Sequence, residues 1–278
     1  MSESLQRRIW LSADDYGISP AVSAAIRDLI ARGRLNATSV MVVTPSFSGE
    51  AAKALREAAA TRAAIGLHLT LTAPFRPLTA GFAPLRGGAF LPLHAMAGRA
   101  LVHALDPELI EPEIASQFAA FNLAFGRAPD FVDGHQHIHL FPQIGEALLR
   151  VAKTAAPRAW LRQCGRPASA RKTIADPKGL VLDRLSARFE KLAAREGLRT
   201  NPAFAGTYSF RPGADYAGLF PGFLDGLPDG GVVMCHPGKV DAELRGLDPL
   251  TDLREHEYAF FLGGEFPRLL KERGISLA

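Results

Sequence analysis

Apolar residues along this chain follow two rhythms. Short apolar runs bounded by turn residues read as strands at Arg8–Ala13, Ala37–Val43, Ala64–Leu71, Asp130–Gly134, Ala159–Gln163 and Gly230–Cys235, with a weaker one near Phe204–Phe210. Between them, helical spacing dominates. In the first helix Ser19 is placed to cap, Pro20 takes the first helical position, Val22, Ile26, Leu29 and Ile30 form the apolar face, and Gly33 closes it. Further helices are expected over Ser48–Ala60, Pro107–Phe125, Gln143–Ala155, Leu180–Glu196 and Gly213–Leu224, and over Thr251–Lys271 with breaks near Gly263, Gly264 and Pro267. Ala73–Pro92 is rich in Pro and Gly and reads as a long loop.

Seven strand–helix units without internal repetition imply a parallel sheet covered on both faces, either doubly wound or closed into a barrel. The 278 residues would suggest two domains at ~150 residues each, but barrels use ~200–250 residues in one. We therefore expect a single domain over residues 1–278, with a loop-rich insertion around 73–105. Hydrophobic residues at 47% and charged residues at 22% exclude a disordered chain, a collagen-like repeat and a disulfide scaffold. A net charge of +4 without any clustered basic run argues against nucleic acid as a partner. Cys164 and Cys235 form no CxxC and read as reduced core thiols. The apolar run Ile9–Leu11 is too short for a signal peptide, and no stretch reaches the ~20 apolar residues of a membrane span. The expected location is the cytoplasm.

Polar residues gather where strands end. Asp14 and Asp15 close the first strand, and the third carries His68. The fourth runs into Asp133, His135, His137 and His139, the fifth bears Arg162, and the last ends at His236 before Pro237 and Gly238. Ligands bind at the carboxyl ends of parallel strands, so five distant segments are expected at one mouth. On an extended strand His135, His137 and His139 would share a face. His94, His103 and His256 read as bystanders. One carboxylate with two neutral imidazoles makes a facial metal site with open positions, suited to zinc or iron. A second, adjacent carboxylate can act as general base toward a water that the cation acidifies, and a further His can protonate a leaving group. That equipment suits amide or ester hydrolysis. No Gly-rich phosphate loop, GxSxG elbow or GxGxxG follows a strand.

At four segments in this order the sequence resembles the YdjC/ChbG/HpnK-like carbohydrate deacetylase family: Ser12–Ser19 (SADDYGIS), Gly66–Leu71 (GLHLTL), Phe131–Pro142 (FVDGHQHIHLFP) and Val233–Gly238 (VMCHPG). The likeness extends through Leu250–Glu257 (LTDLREHE) to the last helix. It implies an α/β fold, a variant seven-stranded β/α barrel of the glycoside hydrolase/deacetylase type, and removal of an N-acetyl group from an amino sugar in a small oligosaccharide or glycoconjugate. It also implies one divalent metal ion, Mg2+ or Zn2+, on Asp15, His68 and His135. Asp14 matches the base and His236 the second catalytic His; Arg162 would orient or charge-tune Asp14. Tyr16, Asp133, His137 and His139 are assigned to the substrate's surroundings or to support of the ligands. Tyr16 stands where the family usually has Phe, and Gln136 where chitooligosaccharide members have His.

The partner expected is thus a small acetylated amino sugar; a homodimer is compatible with this reading. Ala73–Pro92 is assigned as a lid or substrate wall because it follows a ligand-bearing strand. Two rivals stand beside it. A metal-dependent phosphoesterase of the two-metal kind would need more carboxylates at strand ends, and only Asp133 offers itself. A non-catalytic sugar- or metal-binding barrel would need neither Asp14 nor His236.

Overall fold

The computed structural model of the protein describes residues 7–60, 62–169 and 177–278. Its centre is a parallel sheet of β1 (Arg7–Tyr16), β2 (Ala37–Val40), β3 (Ala64–Leu69), β6 (Phe131–Gly134), β7 (Trp160–Leu161), β8 (Arg199–Thr200), β9 (Phe204–Ala205) and β10 (Val232–Cys235). Their order is β8-β7-β6-β3-β2-β1-β10-β9, and β11 (Ile275–Leu277) pairs with the start of β1. The two ends of this path, β8 and β9, are joined by only Asn201–Ala203, so the sheet must curl until its edges approach. Asn201 in that link is tied to the chain just after β7: its Oδ1 accepts from Gln163 N (2.8 Å) and its Nδ2 donates to Gln163 O (3.0 Å). Phe204 N also donates to Gly165 O at 2.9 Å.

All seven expected strands form, but the path holds eight. The additional member, Arg199–Thr200, is too short to carry a periodic signal. The expected Phe204–Phe210 strand shrinks to two residues for the same seam geometry. The helices lie outside the sheet. In α1 (Pro20–Ala31) the Ser19 side chain accepts from Val22 N, and Gly33, at φ 65°, closes the helix by donating to Ile30 O. α2 (Gly49–Ala59) is capped by Ser48 in the same way.

The segment after β3 is more ordered than a loop. It holds a hairpin of β4 (Leu85–Arg86) and β5 (Ala89–Phe90), followed by α3 (Leu93–Leu101). Its amino-terminal part is pinned by Glu113 of α4 (Pro107–Phe125), a buried carboxylate that accepts from Leu78 N, Thr79 N and Thr79 Oγ1. α5 (Ile144–Ala155) and α6 (Pro177–Arg195) follow β6 and β7.

Toward the carboxyl end come α7 (Tyr216–Phe223), α8 (Ala242–Leu247), α9 (Asp252–Leu262) and α10 (Glu265–Glu272). The expected break falls at Gly263 and Gly264, but Pro267 breaks nothing. It lies in the first turn of α10, where its missing N–H would have had no partner. Tyr216, Phe220, Phe260, Phe261 and Phe266 pack ring against ring, with Phe220–Phe260 centroids 5.1 Å apart. Each such ring contributes roughly 1.5–3 kcal/mol on burial. α9 is therefore held firmly, and it faces the site. Among the described residues no helix is long and apolar enough to cross a membrane.

Candidate active site

The site begins with a kink in β1. Asp15 has φ 67°, a left-handed conformation, and the β1–β2 register shifts between Ala13 and Tyr16. Successive residues of a regular strand point to opposite faces. The kink lets Asp14 and Asp15, both buried, serve the same end of the sheet. A non-glycine residue there costs about 1–3 kcal/mol, a strain that surrounding contacts must overcome.

Asp15 is gripped from three sides. Its Oδ1 lies 3.0 Å from His135 Nδ1 and 3.2 Å from His68 Nε2, while its Oδ2 accepts from Arg254 Nη2 at 2.6 Å. Burial opposes its charge, but Arg254 and the two imidazoles hold the carboxyl well below the usual range. His68 and Asp133 are register partners on β3 and β6, and His68 Nδ1 meets Asp133 Oδ1 at 2.6 Å, with Ser39 Oγ at 3.0 Å. An Nδ1–H donated to Asp133 turns Nε2 toward Asp15, as the position for the ring's second proton or for a cation. Burial works against a charge on His68, yet Asp133 and the neighbouring aspartates outweigh it and raise its pKa to about 10.

Asp14 is held by Arg162. Arg162 Nη1 donates to Oδ2 at 2.6 Å and Nη2 to Oδ1 at 2.7 Å, a two-point clamp. Arg162 is itself fully buried, also reaching Ser12 Oγ (2.8 Å) and pairing with Asp133 Oδ2 (2.5 Å). One guanidinium thus ties together two carboxylates from β1 and β6.

The three histidines after β6 do not share a face. Residues 135–140 form a 3-10 turn kinked at Gln136 (φ 54°) and His137 (φ 58°) rather than a strand. The rings consequently diverge. His135 turns to Asp15. His137 Nδ1 lies 3.5 Å from Cys164 Sγ, with its ring edge-on to Phe204. His139 is buried, and its Nε2 donates to the Arg162 carbonyl at 2.8 Å, so it supports the clamp from behind. Burial depresses the pKa of both His137 and His139 to about 3, so both are neutral. Gly134 makes room for this: a Cβ there would stand 2.7 Å from His139 Nδ1. Tyr16 does not line the site either. Its hydroxyl donates to Ala51 O at 2.7 Å and accepts from Arg27, against α1 and α2.

Two residues that the sequence reading passed over lie on α9. Arg254, fully buried, binds Asp15 Oδ2 and Asp248 Oδ2 (2.9 Å). Glu257, one turn on, accepts from His236 N at 2.5 Å and from Tyr208 Oη at 2.7 Å. Their three-residue spacing within LREHE was the available signal, since it places both on one helix face. His236 follows β10, and its ring meets Phe210 edge-on at 5.5 Å. Burial lowers its pKa, against the pull of Asp15. Phe75 covers His135 edge-on at 5.6 Å. Cys164 and Cys235 are buried free thiols.

These residues fit a divalent cation. One oxygen of Asp15 and one nitrogen each of His68 and His135 lie within 4.8 Å of one another. With His68 Nδ1–H committed to Asp133, its Nε2 faces a carboxylate oxygen; the proton that a pKa of about 10 keeps on the ring holds that contact, and a cation bound there would take the proton's place. Asp14, Asp15, Asp133 and Asp248 outnumber Arg162 and Arg254 by two charges; the proton on His68 offsets one of them, and a divalent ion displacing that proton would balance both.

A profile of the YdjC-like protein family matches residues 8–272. The chain belongs to that family. Relatives of this YdjC-like protein include a carbohydrate deacetylase of Homo sapiens, 26% identical over 83% of this chain and 75% of that protein. A chitooligosaccharide deacetylase of Yersinia pestis (strain Pestoides F) is 27% identical over 86% and 85%. Among solved structures, one from Enterococcus faecalis V583, for which cellobiose-phosphate cleavage has been suggested, superposes with a TM-score of 0.75 at 24% identity, covering 98% and 97% of the two chains. A CE4 esterase of Streptococcus mutans superposes with a TM-score of 0.51 at 15% identity, over 99% and 86%. These two share the fold.

Proposed function

We propose that this YdjC-like protein is a metal-dependent hydrolase that removes an N-acetyl group from an amino sugar in a small oligosaccharide or glycoconjugate. The observation that carries the reading is the convergence of Asp15 Oδ1, His68 Nε2 and His135 Nδ1 beside an aspartate clamped by Arg162. The deacetylase names of its relatives point the same way. Asp15, His68 and His135 would hold the ion, which supplies a Lewis acid for the acyl oxygen and an acidified water.

The chain's own groups do the proton work. Asp14, oriented by both nitrogens of Arg162, takes the proton of the attacking water. His236, its backbone steadied by Glu257 and its ring neutral at rest, would return to the departing amine a proton it has first taken up in the site. Asp133 keeps the His68 ring turned with Nε2 inward. Phe210, 40% exposed beside His236, offers an apolar face to a sugar ring. The β4–β5 segment, whose Phe90 N donates to Phe75 O at 2.9 Å, would be the wall on the side of Phe75 and His135.

The test is acetate release from N-acetylated mono- and disaccharides by protein loaded with Mg2+, Zn2+ or Co2+, run beside phosphate release from sugar phosphates. Metal-dependent acetate release supports the reading. Phosphate release without acetate supports the phosphoesterase rival, and metal binding without turnover the non-catalytic barrel.

A further inference from the structure

Asp15 uses its two oxygens differently. Oδ1 faces both imidazole nitrogens, at 3.0 and 3.2 Å, whereas Oδ2 is taken by Arg254 Nη2 at 2.6 Å. Arg254 cannot drift away. It is fully buried, Asp248 holds the same Nη2 at 2.9 Å, and Nε donates to Leu250 O at 2.9 Å. Its backbone carbonyl also accepts from Gly238 N at 3.0 Å, tying α9 to the loop that follows His236. The aromatic cluster of α7, α9 and α10 fixes the helix beneath it.

We propose that Arg254 is a positioning residue that reserves a single oxygen of Asp15 for the cation and offsets part of that ligand's charge. A carboxylate free at both oxygens can take two positions on a metal ion; one oxygen held by a guanidinium leaves one. The position spared stays open to water and to the acyl oxygen. The positive charge beside Asp15 also weakens the site's hold on the ion. The sign is therefore opposite to that of Asp133, whose carboxylate strengthens the hold of His68. The proposal rests on the metal-dependent reading above, but only on its metal and not on its substrate.

The experiment is calorimetric titration of the metal-free protein with Co2+, together with the visible spectrum of the Co2+ form, for wild type, Arg254→Met and Asp248→Asn. Arg254→Met should bind Co2+ at least about tenfold tighter, because a unit charge a few ångströms from the ion is worth at least that in a protein interior. Its visible absorption should weaken as coordination number rises, and kcat should fall. A residue that only supports the fold would loosen binding and slow turnover together. Asp248→Asn, at a partly exposed position, leaves Asp15 as the only carboxylate of those two on Arg254 and should weaken Co2+ binding several-fold. Weaker or unchanged binding by Arg254→Met, or tighter binding by Asp248→Asn should the first variant not fold, overturns the proposal. Absence of Co2+ binding by wild type would instead overturn the metal site itself.

Discussion

Arg162 grips Asp14 through two parallel hydrogen bonds of 2.6 and 2.7 Å, joining the end of β1 to the residue after β7 across 148 positions of sequence. The clamp fixes Asp14 beside Asp15 without making the two equivalent. Asp14 answers to one guanidinium, Asp15 to another and to two imidazoles.

The first prediction separates these neighbours. Asp14→Asn preserves shape and should keep metal content near normal while kcat falls by ~10²–10⁴, the range for loss of a general base. Asp15→Asn should lose metal and activity together. Metal analysis and steady-state kinetics on the same preparations check this; metal lost from Asp14→Asn but kept by Asp15→Asn would reverse the two roles.

Asp133 touches no substrate in this scheme, yet it sets the tautomer of His68 across the β3–β6 pair. Asp133→Asn should lower metal affinity by about 10–100-fold, as loss of a ligand's supporting carboxylate does elsewhere. Competition with a chelator measures it, and an affinity within twofold of wild type would remove that role.

His139 makes one separable contribution to the pH dependence of stability. Its folded pKa is depressed to about 3 by burial, with Arg162 and His68 opposing its charge and the Arg162 carbonyl and Asp14 favouring it. Only the unfolded chain takes up this proton between pH ~6.5 and ~3. The stabilising contribution is thus complete above ~6.5 and declines as pH falls, by up to ~1.4 kcal/mol per unit. His139→Gln can still donate to the Arg162 carbonyl without titrating. Its denaturation midpoint should vary less with pH over that window; an identical slope would contradict the account.

The proposed wall role of the β4–β5 hairpin can be tested without disturbing the segment's anchor at Glu113 and Thr79. Replacing the exposed residues 85–88, which spares the buried Phe82 and Phe90, with a short Gly/Ser link should raise KM or shift preference among acetylated sugars while leaving Tm within a few degrees. Unchanged kinetics across a panel of substrates would reduce the hairpin to a tolerated surface segment.

Much of this protein was legible in its sequence because the signals are local. Ser19 caps its helix where expected, Pro107–Phe125 is helical over that span, and the seven anticipated strands all form. The convergence of Asp14, Asp15, His68, His135 and Arg162 followed from their places at strand ends, since a parallel sheet brings those ends together. Other features depended on contacts remote in sequence. β8 exists because the curled sheet needs a partner at the seam, and two residues carry no period. The alternation of His135, His137 and His139 suggested one face; left-handed turns at Gln136 and His137 sent the rings three ways. The three-residue spacing of Arg254 and Glu257 puts both on one helix face, but the local pattern does not distinguish that face from a solvated one. Only the packing of α9 against the sheet buries that face, and a buried guanidinium must find a carboxylate. The one it found was Asp15, 239 residues away.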